Sequence, residues 1–286
     1  MKQSLKRLYQ LVNPKFQKLI PEYSIEMVPR YTRGTPHHRL NQWLNGQRAN
    51  YFDMLEKALN YPELYAIEKS GRNTPETDEP LWNNGFLPGL DIVMLYTIMR
   101  EYKPNRYMEV GSGNSTKVAR KAIKDGGFQT KVISIDPYPR ANIDHMANRV
   151  VRQKLEDYND VLGLAQSLEA GDILFIDNSH RALPNSDVTV FFLDMLPELK
   201  KGVLVQVHDI YLPYDYPQFM CDRFYNEQYM LAAFLLANPN RYKVIAPNYY
   251  ISEDKELSTV LDEVWKQPNL QGVEKHGGSF WFVVNE

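Results

Sequence analysis

A glycine-rich turn at residues 110–114 limits what this 286-residue chain can fold into more than any other feature. The residues before the turn read as a short apolar strand, whereas Val118, Ala119 and Ala122 after it repeat at helical spacing. Gly111 and Gly113 let the backbone turn tightly and bring its N–H groups close to a ligand. A strand, a glycine turn and a helix in this order form the nucleotide-binding opening of a doubly wound α/β domain.

Two residues of this segment indicate which nucleotide it binds. A dinucleotide-binding turn has the pattern Gly-x-Gly-x-x-Gly, and Thr116 stands at the third glycine position. Glu109 adds a carboxylate that would repel a pyrophosphate and attract a cationic group like that of an amino acid. The turn therefore favours a nucleoside ligand without phosphates over NAD.

The sequence Glu-x-Gly-x-Gly followed by Asn-Ser-Thr resembles the first motif of class I S-adenosylmethionine-dependent methyltransferases. The resemblance implies S-adenosylmethionine as the cofactor, which carries an ammonium, a sulfonium and an adenosine. It also implies that the strand end, the turn and the helix start hold the methionine part of this cofactor, at Glu109, Gly111, Ser112, Gly113 and Ser115.

Two further segments are candidates for the adenosine. Asp136 ends the second predicted strand, where an acidic residue accepts hydrogen bonds from both ribose hydroxyls. NAD enzymes share this feature, so it does not separate the two cofactors. The resemblance places the adenine near the loop after the third strand, at Leu155 and Glu156, although this acidic stretch is equally typical of a solvated helix start.

From residue 106 onwards, apolar strand patterns alternate with helical ones. The predicted strands are 106–110, 131–136, 148–153, 172–177 and 203–208, and the predicted helices between them are 114–125, 141–147, 160–168 and 184–200. Such alternation predicts a parallel sheet covered on both faces. The tail has a predicted helix at 224–237, β-like runs at 242–251 and 279–284, and a helix near 255–266. The resemblance implies a Rossmann-like, mostly parallel seven-stranded sheet with an antiparallel last strand.

The N-terminal third does not match this resemblance. It contains predicted helices at 4–20 and 40–59, and a polar, turn-rich linker at 69–80. We therefore expect a helical N-terminal extension at 1–80 and a class I methyltransferase domain at 81–286. Just after the linker, Trp82 and Phe86 either contact the ligand or fasten the next helix to the core.

Composition excludes several classes of function. The net charge of -2 and the pI near 6.3 provide no electrostatic footprint for nucleic acid. The lone Cys221 excludes an internal disulfide and a cysteine-based zinc site. Basic residues interrupt the apolar runs near the N-terminus, and no run is long enough to span a bilayer. We therefore expect a cytoplasmic protein that acts on a small molecule and binds neither nucleic acid nor a membrane.

The strongest catalytic signal comes from the fourth and fifth predicted strands. Asp177 ends the fourth strand and His180 follows it, while His208 and Asp209 end the fifth. Because α/β folds bind ligands at the carboxyl ends of parallel strands, we expect these four side chains to face one crevice. Asp-x-x-His followed by His-Asp resembles small-molecule O-methyltransferases of the catechol, sugar and antibiotic type, from which Asn178, Ala182 and Leu183 depart on the acceptor side.

A hydroxyl acceptor must lose a proton during methyl transfer. Histidine has a pKa near ~6.5 and can serve as the base near neutral pH, so His180 and His208 are both candidates, with Asp177 beside them. We prefer His180, because its loop should reach further over the crevice.

A metal-dependent mechanism is the alternative. The catechol-type resemblance implies Mg²⁺, for which Asp177 and Asp209 would supply the carboxylates. His208 is a poor third ligand for so hard an ion, because imidazole suits softer metals.

The sequence thus predicts an S-adenosylmethionine-dependent O-methyltransferase. Alternatives are an NAD-dependent oxidoreductase and a non-catalytic nucleoside-binding protein of the same fold. The aromatic segment 211–225 is predicted to be a lid over the acceptor, a segment that closes the core, or a subunit contact. A homodimer would form through this segment or through the N-terminal helices.

Overall fold

The computed structural model describes residues 9, 11–14, 22–70 and 77–286. Most of the predicted helix at 4–20 and the middle of the predicted linker, residues 71–76, lie outside the described residues. No helix within the described residues has the length and apolar character needed to cross a membrane.

The described residues form a seven-stranded sheet in the order β3-β2-β1-β4-β5-β7-β6. Its strands are β1 (Arg106–Val110), β2 (Lys131–Ile135), β3 (Arg149–Val151), β4 (Ile173–Ile176), β5 (Leu204–Val207), β6 (Tyr242–Pro247) and β7 (Phe280–Val284). The strands β1 to β5 pair in parallel, and β7 is antiparallel to both of its neighbours. The predicted α/β fold with an antiparallel last strand is confirmed.

Ten α-helices accompany this sheet within the described residues. They are α1 (His38–Asn45), α2 (Arg48–Ala58), α3 (Gly89–Tyr102), α4 (Asn114–Gly126), α5 (Val161–Gln166), α6 (Asp187–Val190), α7 (Gln218–Cys221), α8 (Glu227–Ala237), α9 (Asn248–Glu253) and α10 (Asp262–Trp265). A π-helical turn, Phe191–Met195, directly follows α6.

Five predicted elements differ from the structure. The predicted helix near 255–266 is a 3-10 turn, Leu257–Thr259, followed by α10. The predicted helix at 184–200 consists of α6, the π-helical turn and a 3-10 turn, Leu196–Glu198. The predicted helix at 40–59 is divided into α1 and α2, because Gly46 caps the first helix. The predicted helix at 141–147 is reduced to one 3-10 turn, Asp144–Met146. The predicted strand at 242–251 ends at Pro247, and α9 follows because its buried Asn248 donates a hydrogen bond to Asp91 on α3.

The N-terminal helices share the core of the sheet domain. Leu40, Leu44 and Leu55 belong to the same buried cluster as the strands. The edge strand β6 is bonded to this region, because Gln47 accepts from the Val244 N–H and Asn50 donates to the Val244 carbonyl. The division of the chain at residue 80 remains a prediction.

Candidate active site

The carboxyl ends of β1, β4 and β5 lie side by side, which places the glycine turn next to residues 177–180 and 208–209. Gly111 has φ of +83°, and a Cβ on it would lie 1.9 Å from the Asp177 carbonyl oxygen. Only glycine allows this contact between the turn and the end of β4. The two halves of the crevice therefore meet at Gly111 and Asp177.

Glu109 lies beneath the turn and is fully buried. The Tyr107 and Ser115 hydroxyls each donate to its carboxylate at 3.0 Å, and the Thr116 hydroxyl donates as well. Burial raises the pKa of Glu109 to about 7, and these hydroxyls partly offset that effect. The carboxylate thus fixes the turn from within, and the structure gives it no surface towards the cavities described next. A direct bond from Glu109 to the cofactor remains a prediction.

Thr116 explains the missing third glycine. Its hydroxyl accepts the Gly113 N–H at 3.2 Å and donates to Glu109, so a side chain is needed where a dinucleotide-binding turn has none. The hydrogen bonds of the turn therefore require the threonine that replaces the third glycine of the dinucleotide pattern.

On one side of the turn, a cavity of about 300 Å³ is lined by the predicted adenosine residues. Asp136 accepts the Ser112 N–H at 2.8 Å and the Tyr138 N–H at 2.7 Å. Leu155 and Glu156 line the same cavity. The structure thus brings together the residues that the sequence assigned to ribose and adenine.

On the other side, a smaller cavity of about 110 Å³ is lined by residues 111–115, Phe86, Lys117, Arg140 and Asp177. Phe86 is 52% exposed and lies under the Arg140 guanidinium, 5.0 Å from ring centroid to Cζ. Trp82 is buried and packs edge-on against Trp265. Of these two aromatic side chains, Phe86 borders the crevice and Trp82 fastens the core.

The four predicted acceptor-side residues converge at the ends of β4 and β5. His180 Nε2 lies 3.4 Å from both Asp177 Oδ1 and Asp209 Oδ2. His208 Nδ1 lies 3.6 Å from Asp177 Oδ1 and from Asp209 Oδ1. His180 and Asp209 have φ of 61° and 55°, which residues other than glycine rarely adopt. The two histidines and the two carboxylates thus lie together, as the sequence predicted.

Two further buried carboxylates complete this cluster, and neither was predicted from the sequence. Glu227, on α8, lies 3.0 Å from His180 Nδ1. Asp91, on α3, lies 3.2 Å from His208 Nε2 and accepts from the Gly278 and Ser279 N–H groups. Both side chains are fully buried. The only signal in the sequence was an acid inside the apolar run of α3.

The four carboxylates determine the charge of the histidines. Burial opposes protonation of His208, but the charges of Asp177 and Asp209 and the hydrogen bond with Asp91 outweigh it and raise its pKa to about 9. Burial is outweighed at His180 too, where hydrogen bonds with Asp177 and Glu227 raise the pKa well above the usual range. In turn, the two imidazoliums outweigh burial and lower the pKa of Asp177 to about 2. The surrounding carboxylates therefore favour the protonated, cationic form of both histidines.

The aromatic segment 211–225 packs beside this cluster. Tyr216, Met220, Cys221 and Tyr225 form a small buried core of their own. The Tyr225 ring lies over the His180 ring with centroids 4.6 Å apart. Asp215 holds the segment to the N-terminal region, because its carboxylate accepts the Arg30 and Tyr31 N–H groups. The segment is thus a wall of the site, with Tyr225 covering His180.

Residues 108–210 match the model of a family described as a methyltransferase domain. This part of the chain is a methyltransferase domain. A solved structure of a Podospora anserina methyltransferase with SAH bound is also similar, at 15% identity and a TM-score of 0.41, over 69% of this chain and 79% of that chain. No curated protein matches the chain.

The methyltransferase domain has the fold of the class I S-adenosylmethionine-dependent enzymes that the sequence resembles. Its match runs from β1 through Asp209 and so includes the glycine turn, Asp136 and the histidine–carboxylate cluster. The alternative of an NAD-dependent oxidoreductase finds no support in either the turn or the family match.

The residues present do not fit the Mg²⁺ ion that the catechol-type resemblance implies. Both predicted ligands, Asp177 and Asp209, lie within 3.6 Å of a nitrogen of each histidine, and imidazole nitrogen is a poor ligand for so hard an ion. Among the described residues, no group of three or more histidine, cysteine or acidic side chains is arranged to hold a metal ion. No step below therefore uses a metal.

Proposed function

We propose that this protein transfers a methyl group from S-adenosylmethionine to a hydroxyl group of a small molecule. The observation that carries this proposal is the cluster of Asp177, His180, His208 and Asp209 beside the cofactor crevice. Asp177 is the member of the cluster that lines both cavities, so in our proposal an acceptor held at Asp177 lies next to the cofactor's reactive centre. Alignment of the two reactants is the main contribution that such a site makes to an in-line displacement.

When bound, S-adenosylmethionine supplies an electrophilic methyl group. In our proposal, Asp136 accepts bonds from the ribose, and Leu155 and Glu156 border the adenine. Ser112 and Ser115 border the methionine part along the turn, and Glu109 holds that turn in shape.

The ribose assignment predicts that Asp136→Ala weakens binding of S-adenosylhomocysteine roughly 100-fold, because two hydrogen bonds to a charged group are lost. Calorimetric titration measures this change. The control is Asp157→Ala, an exposed acid in the loop after β3, which should bind as the wild type does. Unchanged affinity in Asp136→Ala, with an unchanged melting temperature, would remove the ribose assignment.

The charge of the cluster bears on which group receives the acceptor's proton. As the new C–O bond forms, the hydroxyl becomes strongly acidic, so even a weakly basic carboxylate can accept its proton. Asp177 and Asp209 keep 27% and 22% of their side chains exposed, whereas His180 is enclosed by carboxylates. We propose that one of these two carboxylates takes the proton while the imidazoliums hold both in place. The predicted role of His180 or His208 as the base would require a neutral imidazole.

The pH dependence of turnover distinguishes these two roles. If a carboxylate accepts the proton, kcat/KM stays level from about pH 5 to 8 and falls by about tenfold per pH unit above about 9, as His208 loses its proton. If His208 is the base, the rate instead rises with pH up to about 9. Initial rates across this range measure the slope, and a rise between pH 7 and 9 would contradict the carboxylate assignment.

Electrostatics support a small acceptor over a nucleic acid. Two imidazoliums balance only half of the four carboxylates at the acceptor end, and a phosphodiester would be repelled there. The test is transfer of a labelled methyl group to panels of phenolic, sugar and amine acceptors. We expect an O-methyl product, and Asp177→Asn should lower its rate. Methylation of amines alone would contradict the proposal.

A further inference from the structure

Asn178, one of the acceptor-side departures from the resembled O-methyltransferases, connects two parts of the site. Its side-chain oxygen accepts the His180 N–H at 3.0 Å, and its NH₂ group donates to Glu227 Oε1 at 2.9 Å. The first bond fixes the orientation of the amide, because a backbone N–H can only donate. Asn178 therefore requires an acceptor at position 227.

Glu227, the first residue of α8, uses its second oxygen on His180. Glu227 Oε2 lies 3.0 Å from His180 Nδ1, so the two oxygens of one carboxylate accept from two different side chains. Glu227 is fully buried and lines neither of the cavities beside the glycine turn. It therefore acts through the side chains that it holds.

The other polar groups of His180 are held as well. Its carbonyl oxygen accepts the Asn226 N–H at 3.0 Å and the Glu227 N–H at 3.4 Å. These bonds account for the φ of 61°, because a conformation of this kind costs free energy and persists only where neighbouring groups enforce it. The second ring nitrogen, Nε2, lies 3.4 Å from both Asp177 and Asp209.

The start of α8 also holds the aromatic wall of the site. Gln228 is fully buried, and its side chain accepts the Tyr211 N–H at 2.9 Å and donates to the Tyr214 carbonyl at 3.1 Å. On the other side, the Asn226 side chain accepts the Ala182 N–H at 2.6 Å. Three consecutive residues thus fix both the loop after β4 and the segment after β5.

We propose that Glu227 is a positioning residue for methyl transfer, which acts with Asn178 to hold the His180 ring between Asp177 and Asp209. The position of the ring does not depend on the cofactor, but its use in methyl transfer rests on the proposed function. Asn178 and Glu227 form one unit, in which a change of polarity at one residue requires the opposite change at the other.

A polarity swap tests this unit. In Glu227→Gln, a glutamine that accepts from His180 turns its own NH₂ group towards the NH₂ group of Asn178. In Asn178→Asp, two carboxylates face each other. The double variant Asn178→Asp/Glu227→Gln again places a donor opposite each acceptor, and it keeps the net charge of the wild type.

Hydrogen exchange of the His180 ring, followed by NMR of protein labelled with ¹⁵N-histidine, measures the position of the ring without an acceptor. The signals are assigned by their loss in His180→Gln. The Nδ1 proton should exchange faster in each single variant than in the wild type, and its protection should return in the double variant. Glu263→Gln, an exposed acid on α10, should leave the exchange unchanged.

Titration and rate measurements separate positioning from cofactor binding. Glu227→Gln should bind S-adenosylhomocysteine as the wild type does, because Glu227 lines neither cavity. Its kcat with the acceptor found in the labelled-methyl panel should fall roughly 10- to 100-fold, as expected when reacting groups are misplaced. The double variant should have a higher kcat than either single variant, because the two changes compensate each other.

Other results would overturn the inference. If the single variants exchange the Nδ1 proton as the wild type does, Glu227 does not hold the ring. If the double variant fails to fold, or loses as much as the two single variants together, the two residues do not form a unit. If no acceptor in the panel is methylated, the proposed function fails, whereas the exchange measurement still decides whether Glu227 and Asn178 position His180.

Discussion

Asp91→Asn should lower the free energy of unfolding by about 3 to 5 kcal/mol at pH 6, the size expected when one partner of a buried ion pair is removed. All four groups that contact the Asp91 carboxylate are donors: the Asn248 amide, the Gly278 and Ser279 N–H groups, and the His208 imidazolium. An asparagine turns its own NH₂ towards two of these donors. Urea unfolding of the variant and the wild type measures the loss.

The loss in Asp91→Asn should depend on pH. The pKa of His208 is raised from 6.5 to about 9 in the folded protein, so its contribution to stability is fully present below about pH 6.5. That contribution is lost as the pH rises through about 9. The difference between variant and wild type should therefore shrink above pH 9. A difference that stays constant from pH 6 to 10 would contradict the ion pair, and Asp53→Asn, an exposed acid, should change stability by less than about 0.5 kcal/mol.

Gly111→Ala should destabilise the protein by roughly 2 to 6 kcal/mol and abolish cofactor binding. The added Cβ meets the Asp177 carbonyl oxygen at 1.9 Å, and φ of +83° is strained for alanine. Relief of this contact would separate the turn from the end of β4, where the two cavities meet. Thermal unfolding and calorimetric titration measure the two effects.

The matched control for Gly111→Ala is Gly171→Ala. Gly171 has φ of +87°, but nothing lies within 4 Å of its added Cβ. The Gly171→Ala variant should therefore lose only the free energy of unfolding that comes from backbone strain, about 1 to 3 kcal/mol, and it should keep its affinity for the cofactor. Equal stability losses in both variants would mean that the contact with Asp177 is unimportant.

The strands of the sheet and the place where the site residues come together could be predicted, because both depend on local sequence patterns. Apolar runs identified β1 to β5, and the parallel order places the carboxyl ends of β4 and β5 together whatever the loops do. The positions of Asp177, His180, His208 and Asp209 followed from this rule. The end of β6 could not be predicted in this way. Tyr249, Tyr250 and Ile251 favour a strand, whereas the burial of Asn248 beside Asp91 starts a helix.

The charge state of the site was not predictable from local pattern. His180 and His208 were given the ordinary histidine pKa, because Glu227 lies 47 residues from His180 and Asp91 lies 117 residues from His208. Only the packing of α3 and α8 against the sheet brings these carboxylates to the imidazoles. Glu109 is different, since strand alternation puts it on the same face as the buried Tyr107, and this signal was available in the sequence.

Calorimetric titration with S-adenosylhomocysteine, with NAD as the control ligand and each with and without Mg²⁺, tests the central claim most directly. We predict micromolar binding of S-adenosylhomocysteine that Mg²⁺ leaves unchanged, its loss in Asp136→Ala, and no binding of NAD. Binding of NAD alone, or of neither ligand, would contradict the assignment of this crevice to S-adenosylmethionine.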